Sequence, residues 1–257
     1  MTLPLQDILA IICGSAVGFS LALIGGGGSI LATPLLLYVV GVRDPHMAIG
    51  TSALAVAVNA FANVIPHARM GNVRWKPALV FAAAGVVGAL LGSSVGKMVN
   101  GQHLLVLFAL LMLVVAALMI RGRHEGGGDR YPLPHMIPRL GGIGLGTGGL
   151  AGFFGIGGGF LIVPGLMLAS GMPIINAIGT SLFSVGAFGL TTAINYAASG
   201  LVSWQVAVEF IGGGMLGGWL GAKGATHLAR KRGALNLVFA GVIVLVAIFM
   251  LVKSLRA

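Results

Sequence analysis

Acidic residues are nearly missing from this chain. Five carboxylates serve 257 residues, and Lys, Arg, Asp and Glu together make up only 8% of it. A soluble domain carries about 25% charged residues, so this sequence cannot clothe the water-facing surface of an ordinary cytosolic enzyme. With one cysteine, Cys13, an internal disulfide framework is excluded, and its place inside an apolar run reads as a small packed residue. Aromatics are 7% of the residues, too few to interleave with basic side chains as a nucleic-acid interface would. The net charge of +10 is therefore not read as affinity for nucleic acid. Asp7, Asp44, Glu125 and Asp129 lie in loops or near a terminus, which leaves Glu209 alone inside an apolar segment. One deep carboxylate is too few for a divalent-cation site of hard oxygen ligands. His46, His67, His103, His124, His135 and His227 show no metal-ligand spacing, so neither a metal nor another cofactor is expected. No nucleophile–base pair, cysteine pair or HExxH motif supports enzymatic chemistry.

What the chain has instead is apolar length and glycine. Hydrophobic residues are 57% of it, and 44 of 257 residues are glycine, against a usual share of about 7%. A polytopic bundle in a bilayer accommodates both, because small residues let helix backbones pack closely. Apolar runs between breakers predict ten helical segments: 8–24, 29–41, 46–66, 77–99 and 103–121, then 138–154, 160–171, 173–198, 204–228 and 235–253. The first reads as a retained helix, since Asp7 stands where a signal peptide would be basic and Ile12 precedes Cys13 where a lipoprotein site needs a small residue. A polar stretch rich in Gly and Pro separates the two sets of five. The division is thus 1–121, a linker at 122–137, and 138–257.

The two halves repeat. Gly25-Gly26-Gly27-Gly28-Ser29 followed by Pro34 matches Gly155-Ile156-Gly157-Gly158-Gly159 followed by Pro164 at an offset of 130. Gly50-Thr51-Ser52 matches Gly179-Thr180-Ser181 at 129, as do Gly71–Trp75 and Gly200–Trp204, and Gly88 and Gly92 match Gly217 and Gly221. Duplication in one order points to a repeat architecture. If all ten segments cross the membrane, eleven Lys and Arg (Arg69, Arg74, Lys76, Arg121, Arg123, Arg130, Arg139, Lys223, Arg230, Lys231, Arg232) fall on one side and four (Arg43, Lys97, Lys253, Arg256) on the other. The basic side is then cytoplasmic and both termini are outside. Five segments per repeat is odd, so the second half is expected to be inverted.

The second segment of each half is short, about 20 Å and 18 Å as a helix, against a hydrocarbon core of ~30 Å. Each follows glycines that disfavour helix. Two re-entrant or discontinuous hairpins are expected, their turns meeting inside the membrane from opposite sides, where non-helical backbone needs protein cover or a watery cavity. Free N–H groups and the positive dipole end at Gly25, Gly27, Gly28, Ser29, Gly155, Gly157, Gly158 and Gly159 suit an oxyanion; close packing alone is the plainer use of the same glycines. In the third segments, Ser52, Asn59 and Asn63 lie within about 40° of one helix face with His67 about 40° further round, and Ser181, Ser184, Thr191 and Asn195 share a face within about 80°. These neutral groups can replace part of an anion's hydration shell or simply join helices. Glu209 and His67 are the candidates for proton coupling. Gly144-x-Gly146-x-x-Gly149 matches a dinucleotide fingerprint formally but follows no strand. Gly88-xxx-Gly92-xxx-Gly96 and Gly213-xxx-Gly217-xxx-Gly221 read as close helix contacts, within one chain or between copies in a homo-oligomer.

A Gly-rich turn, a proline five or six residues on, Gly-Thr-Ser, a Trp after a short loop, and a second copy of the set together resemble the sulfite exporter TauE/SafE family of membrane transporters. The likeness runs from about Gly18 to Leu251, and Gly25–Ser29, Gly155–Gly159, Ser52 and Ser181 are the positions matching its duplicated motifs. The resemblance implies transport of sulfite, a sulfonate or a related organosulfur anion in a bacterial inner membrane. With no ATP-binding motif, the expectation is a secondary transporter working by alternating access at a midplane site. The alternatives are a non-transporting scaffold or assembly factor, and a cation or metal permease.

Overall fold

A computed structural model describes residues 5–121, 133–155, 159–228 and 232–255. Every element among them is helical: α1 (Leu5–Ile24), α2 (Ala32–Leu35), α3 (Pro45–Arg69), α4 (Trp75–Met98), α5 (Gly101–Arg121), α6 (Leu133–Phe154), α7 (Gly159–Ser170), α8 (Ile174–Ala197), α9 (Trp204–Leu228) and α10 (Arg232–Leu255). The protein is an all-α polytopic membrane protein. Four of the described helices, at Leu5–Leu23, Pro45–Arg69, Trp75–Met98 and Ile174–Ala197, are long and apolar enough to cross a bilayer. Outward-facing side chains such as Leu91, Val95, Leu216 and Trp219 are more than half exposed, the expected state for a surface wetted by lipid rather than water.

Local chemistry sets the boundaries. Asp44 caps α3 by accepting a hydrogen bond from the Met47 N–H at 3.0 Å, with Pro45 opening the first turn. Gly71 and Gly200, at φ of 74° and 71°, turn the chain after α3 and α8. Such backbone is open to glycine at no steric cost. One boundary differs from expectation: α6 begins at Leu133 and runs through Pro138, although the prolines were read as linker. Pro134 costs little there, because the first N–H groups of a helix have no intrahelical partner in any case, while Pro138, sixth in α6, forgoes a single bond to the carbonyl of residue 134.

The second segment of the first half is a broken helix. A 3-10 stretch (Gly25–Leu31) leads into α2 and then a π-helical turn (Leu36–Val40). Glycines and Pro34 explain the break, since Pro34 cannot donate the next α-helical bond. The segment folds back on α1, where a Cβ at Gly28 would overlap the backbone of Ser20 and Leu21. The second half repeats the hairpin: α6 turns at Gly155 (φ 66°), and α7 packs back against it. The two broken hairpins touch each other.

Packing runs across the halves. α1 lies on α9, α4 on α6, α3 on α8, α5 on α10, and the lesser pairs α3·α9 and α4·α8 mirror each other. Exchanging each helix for its repeat counterpart leaves this set unchanged, as a pseudo-two-fold axis demands. The direction of that axis follows from particular contacts. Gly50 meets Tyr196, Ala57 meets Gly189 and Phe61 meets Gly186, so α3 and α8 run antiparallel. The Thr51 hydroxyl accepts from the Ser203 N–H at 3.0 Å, and the Thr180 hydroxyl accepts from the Arg74 N–H at 3.0 Å. The same bond is made twice, 129 residues apart, at opposite ends of the helix pair. Counterpart helices therefore point in opposite directions, and the repeats are inverted.

Glycine makes the tightest seams. α1 and α9 run parallel with Gly14 on Phe210, Gly18 on Gly214 and Gly217 on Ser15; α4 and α6 do the same with Gly88 on Leu145 and Gly92 on Gly149. In each case an added Cβ would overlap a backbone carbonyl. The glycine faces read as contacts within one chain or between copies make contacts within one chain here.

Candidate functional site

The two central helices carry most of the wholly buried polar side chains among the described residues. On α3, Ser52 is wholly buried; its hydroxyl donates to the Ile49 carbonyl at 2.9 Å and shares a 2.8 Å hydrogen bond with the Thr33 hydroxyl. Ser52 thereby ties the broken segment to α3. Seven residues on, Asn59 is also fully buried, and neither its Nδ2 nor its Oδ1 has a hydrogen-bond partner. Its backbone carbonyl accepts from the Asn63 Nδ2 at 2.9 Å. Both amides press on α9: a Cβ at Gly214 would overlap that of Asn59, and one at Gly218 would lie 3.0 Å from that of Asn63. His67 continues the line, 5% exposed. The expected α3 stripe is thus one buried file, in which Asn59 and Asn63 face α9 and Ser52 meets the broken segment.

The α8 stripe divides. Ser181 and Ser184 are wholly buried, the first donating to the Ile178 carbonyl at 2.8 Å, the second with no partner for its hydroxyl. Thr191 is half-buried and bonds its own helix at the Ala187 carbonyl, 2.8 Å away. Asn195 belongs to a different structure. Its Nδ2 donates to Ser93 at 2.7 Å and Ser94 at 3.1 Å, while its Oδ1 accepts from Lys97 Nζ at 2.8 Å, and Lys97 also donates to Ser199 at 2.9 Å. This cluster joins the ends of α4 and α8. The buried file of α8 runs instead through Thr192 and Tyr196, both wholly buried, with hydroxyls lacking a partner. Sequence reasoning missed this pair, although the repeat offset of 129 maps them onto Asn63 and His67.

The glycine turns are described in part. Gly25, Gly27, Gly28 and Ser29 lie in the 3-10 stretch, with Ser29 wholly buried; Gly155 forms the turn and Gly159 starts α7, whereas Gly157 and Gly158 lie outside the described residues. Glu209 is half-buried in the second turn of α9 and accepts from Gln205 Nε2 at 3.2 Å. It stands five residues before Gly214, so Glu209 and His67 flank Asn59 from opposite directions and do not form a pair.

Among the described residues the buried Asp, Glu and His side chains are Asp7 and His67, and no Lys or Arg is buried. Nor does any group of three or more His, Cys, Asp and Glu stand close enough among them to hold a metal. The arrangement offers neutral donors and acceptors where two inverted halves cross, and such a place can replace the water around a small ligand without binding it tightly.

Comparison with known proteins agrees on the kind of molecule. Residues 10–250 match the family described as Sulfite exporter TauE/SafE. A relative from Xylella fastidiosa, “Probable membrane transporter protein”, is 53% identical over 249 residues, covering 96% of this chain and 95% of its own. A similarly named protein of Methanocaldococcus jannaschii is 31% identical, with 77% and 72% covered. YunE of Bacillus subtilis, also a “Probable membrane transporter protein”, is 29% identical, with 84% and 87% covered. No solved structure matches this chain.

Proposed function

The chain belongs to the sulfite exporter TauE/SafE family, and on that premise we propose that it is a secondary transporter of a small anion, sulfite or a related organosulfur anion, working by alternating access. The observation that carries this reading is the set of wholly buried polar groups without partners on α3 and α8, Asn59, Ser184, Thr192 and Tyr196. In a bilayer such groups cost free energy unless a ligand or water meets them in some state. They lie on two antiparallel helices that the pseudo-two-fold relates, so polar groups line the crossing from both halves. Exchange of the halves' conformations then turns an inward-open state into an outward-open one. The scaffold reading rests on glycine faces open to partners; here Gly88 and Gly92 of α4 pack on α6, and Gly213 and Gly217 of α9 pack on α1.

The test is flux. Purified protein in liposomes should move sulfite or a small sulfonate saturably down its gradient, and a neutral isostere should compete poorly. Protein that is folded and inserted yet moves no anion would return the scaffold reading.

Orientation has its own test. With both termini and Ser199 outside and Arg123 inside, in a bacterial inner membrane, a cysteine at Ser199 should react with an impermeant thiol reagent on intact cells. One at Arg123 should react only after permeabilisation. The charge asymmetry of the loops motivates this, and external labelling at Arg123 would reverse it.

A further inference from the structure

The pseudo-two-fold maps Asn59 onto Phe188 and Gly214 onto Gly85, each at an offset of 129. The contacts repeat as well. A Cβ at Gly85 would overlap the Phe188 ring, as one at Gly214 would overlap the Asn59 amide. The same socket, a glycine of the neighbouring helix facing a large side chain at the α3–α8 crossing, is built twice. Phe188 fills its copy with an apolar ring, wholly buried and stacked on Phe81 at 6.1 Å between centroids and 20° between planes. That side is complete. Asn59 fills the other with an amide of which both polar atoms lack a partner, at a point about 21 Å along α3 from Pro45 and 15 Å from Arg69 at ~1.5 Å per residue. Duplication thus supplied two sockets, and only one presents hydrogen-bonding groups at mid-membrane.

The chemistry of that socket is narrow. No Lys or Arg is buried among the described residues, so an anion there meets dipoles rather than a counter-charge, and a second negative charge would go uncompensated. The amide offers a donor and an acceptor side by side. A hydrogen oxyanion matches both, its charged oxygen accepting from Nδ2 and its O–H donating to Oδ1. A sulfonate offers acceptors alone and would set an oxygen lone pair against Oδ1.

We propose that Asn59 is the specificity-determining residue of a single transport site between α3 and α9, selecting singly charged oxyanions that retain an ionisable O–H over permanently dissociated anions of similar size. This rests on the anion-transport reading above. In the present conformation α9 closes over the amide, and the ligand reaches it when α9 parts from α3; Asn63, one turn on, holds the Asn59 carbonyl and keeps that turn in place.

The experiment is equilibrium binding to the purified full chain at mildly acidic pH, with hydrogen sulfite and hydrogen selenite as O–H-bearing probes and methanesulfonate as the dissociated one. The wild type should prefer the first two by about tenfold or more, the factor that ~1.4 kcal/mol supplies. In Asn59→Leu, similar in size but without donor or acceptor, the ratio should fall towards one. Should leucine not fit against Gly214, Asn59→Ala gives the same reading, because it also removes the amide. A purely structural Asn59 would lower all affinities together and leave the ratio standing, which overturns the proposal while anion transport survives. Equal wild-type affinity for all three probes overturns it in the same way. Absence of binding by every probe, together with absence of flux, overturns the transport reading itself.

Discussion

Gly217→Ala is expected to remove most folded, membrane-inserted protein, while Gly212→Ala, five residues away on the same helix, leaves the yield at or slightly above the wild-type level. The contrast isolates packing from helix propensity. Alanine favours a helix over glycine by about 1 kcal/mol at either position. At Gly212 nothing stands within 4 Å of the new Cβ, so that gain is kept. At Gly217 the Cβ would overlap the carbonyl oxygen of Ser15, and the neighbour is backbone, which cannot rotate away. Overpacking a core with movable side chains costs about 1–3 kcal/mol; pushing two parallel helices apart along a whole seam costs more, because every contact from Gly14 to Gly221 loosens at once. Gly88→Ala, the counterpart against Leu145, should behave alike. Monodisperse yield in detergent and the thermal midpoint measure the effect. Equal values for Gly217→Ala and Gly212→Ala would mean that α1 and α9 do not meet as described.

The second large effect is a coupled pair. Phe188→Ala should destabilise the protein by about 3–5 kcal/mol, the usual range for emptying a buried aromatic site. Gly85→Ala should be destabilising too, since its methyl would sit in the Phe188 ring. Combining Gly85→Ala with Phe188→Leu should cost less than the two single changes added together, because the smaller side chain leaves room for the new methyl. Contacting residues commonly show coupling of about 0.5–3 kcal/mol. Additivity within about 0.5 kcal/mol, read from unfolding midpoints of the four proteins, would show that α4 and α8 do not share this contact.

Composition and spacing were enough for the class, the segment count and the duplication. A bilayer leaves few solutions: apolar runs must close their backbone hydrogen bonds within themselves, so a run of the right length is a helix. That is why the predicted 204–228 coincides with α9 and 46–66 lies within α3. Glycine at Gly71 and Gly200 marked turns because a local backbone state decides them. The α3 stripe was legible for a related reason, as helical periodicity alone places Ser52, Asn59 and Asn63 on one face. On α8 the stripe divides, because periodicity gives a face and not what the face meets. Asn195 is polar and correctly spaced, yet it ends beside Lys97 and two serines of α4, contacts some hundred residues away in sequence.

What tertiary structure decided is pairing. Nothing local says that α1 rests on α9 and α4 on α6; those partners follow from where a missing Cβ on one helix fits a carbonyl on another. Nor could the repeat alone show that Asn59 and Phe188 occupy equivalent sockets and that only one is left polar and unmatched. The sequence determined which groups lie at mid-membrane depth, because hydropathy and helical rise fix depth residue by residue. Which of them remain without a hydrogen-bond partner there depends on which neighbouring helix closes over each, and only the packed chain decides that.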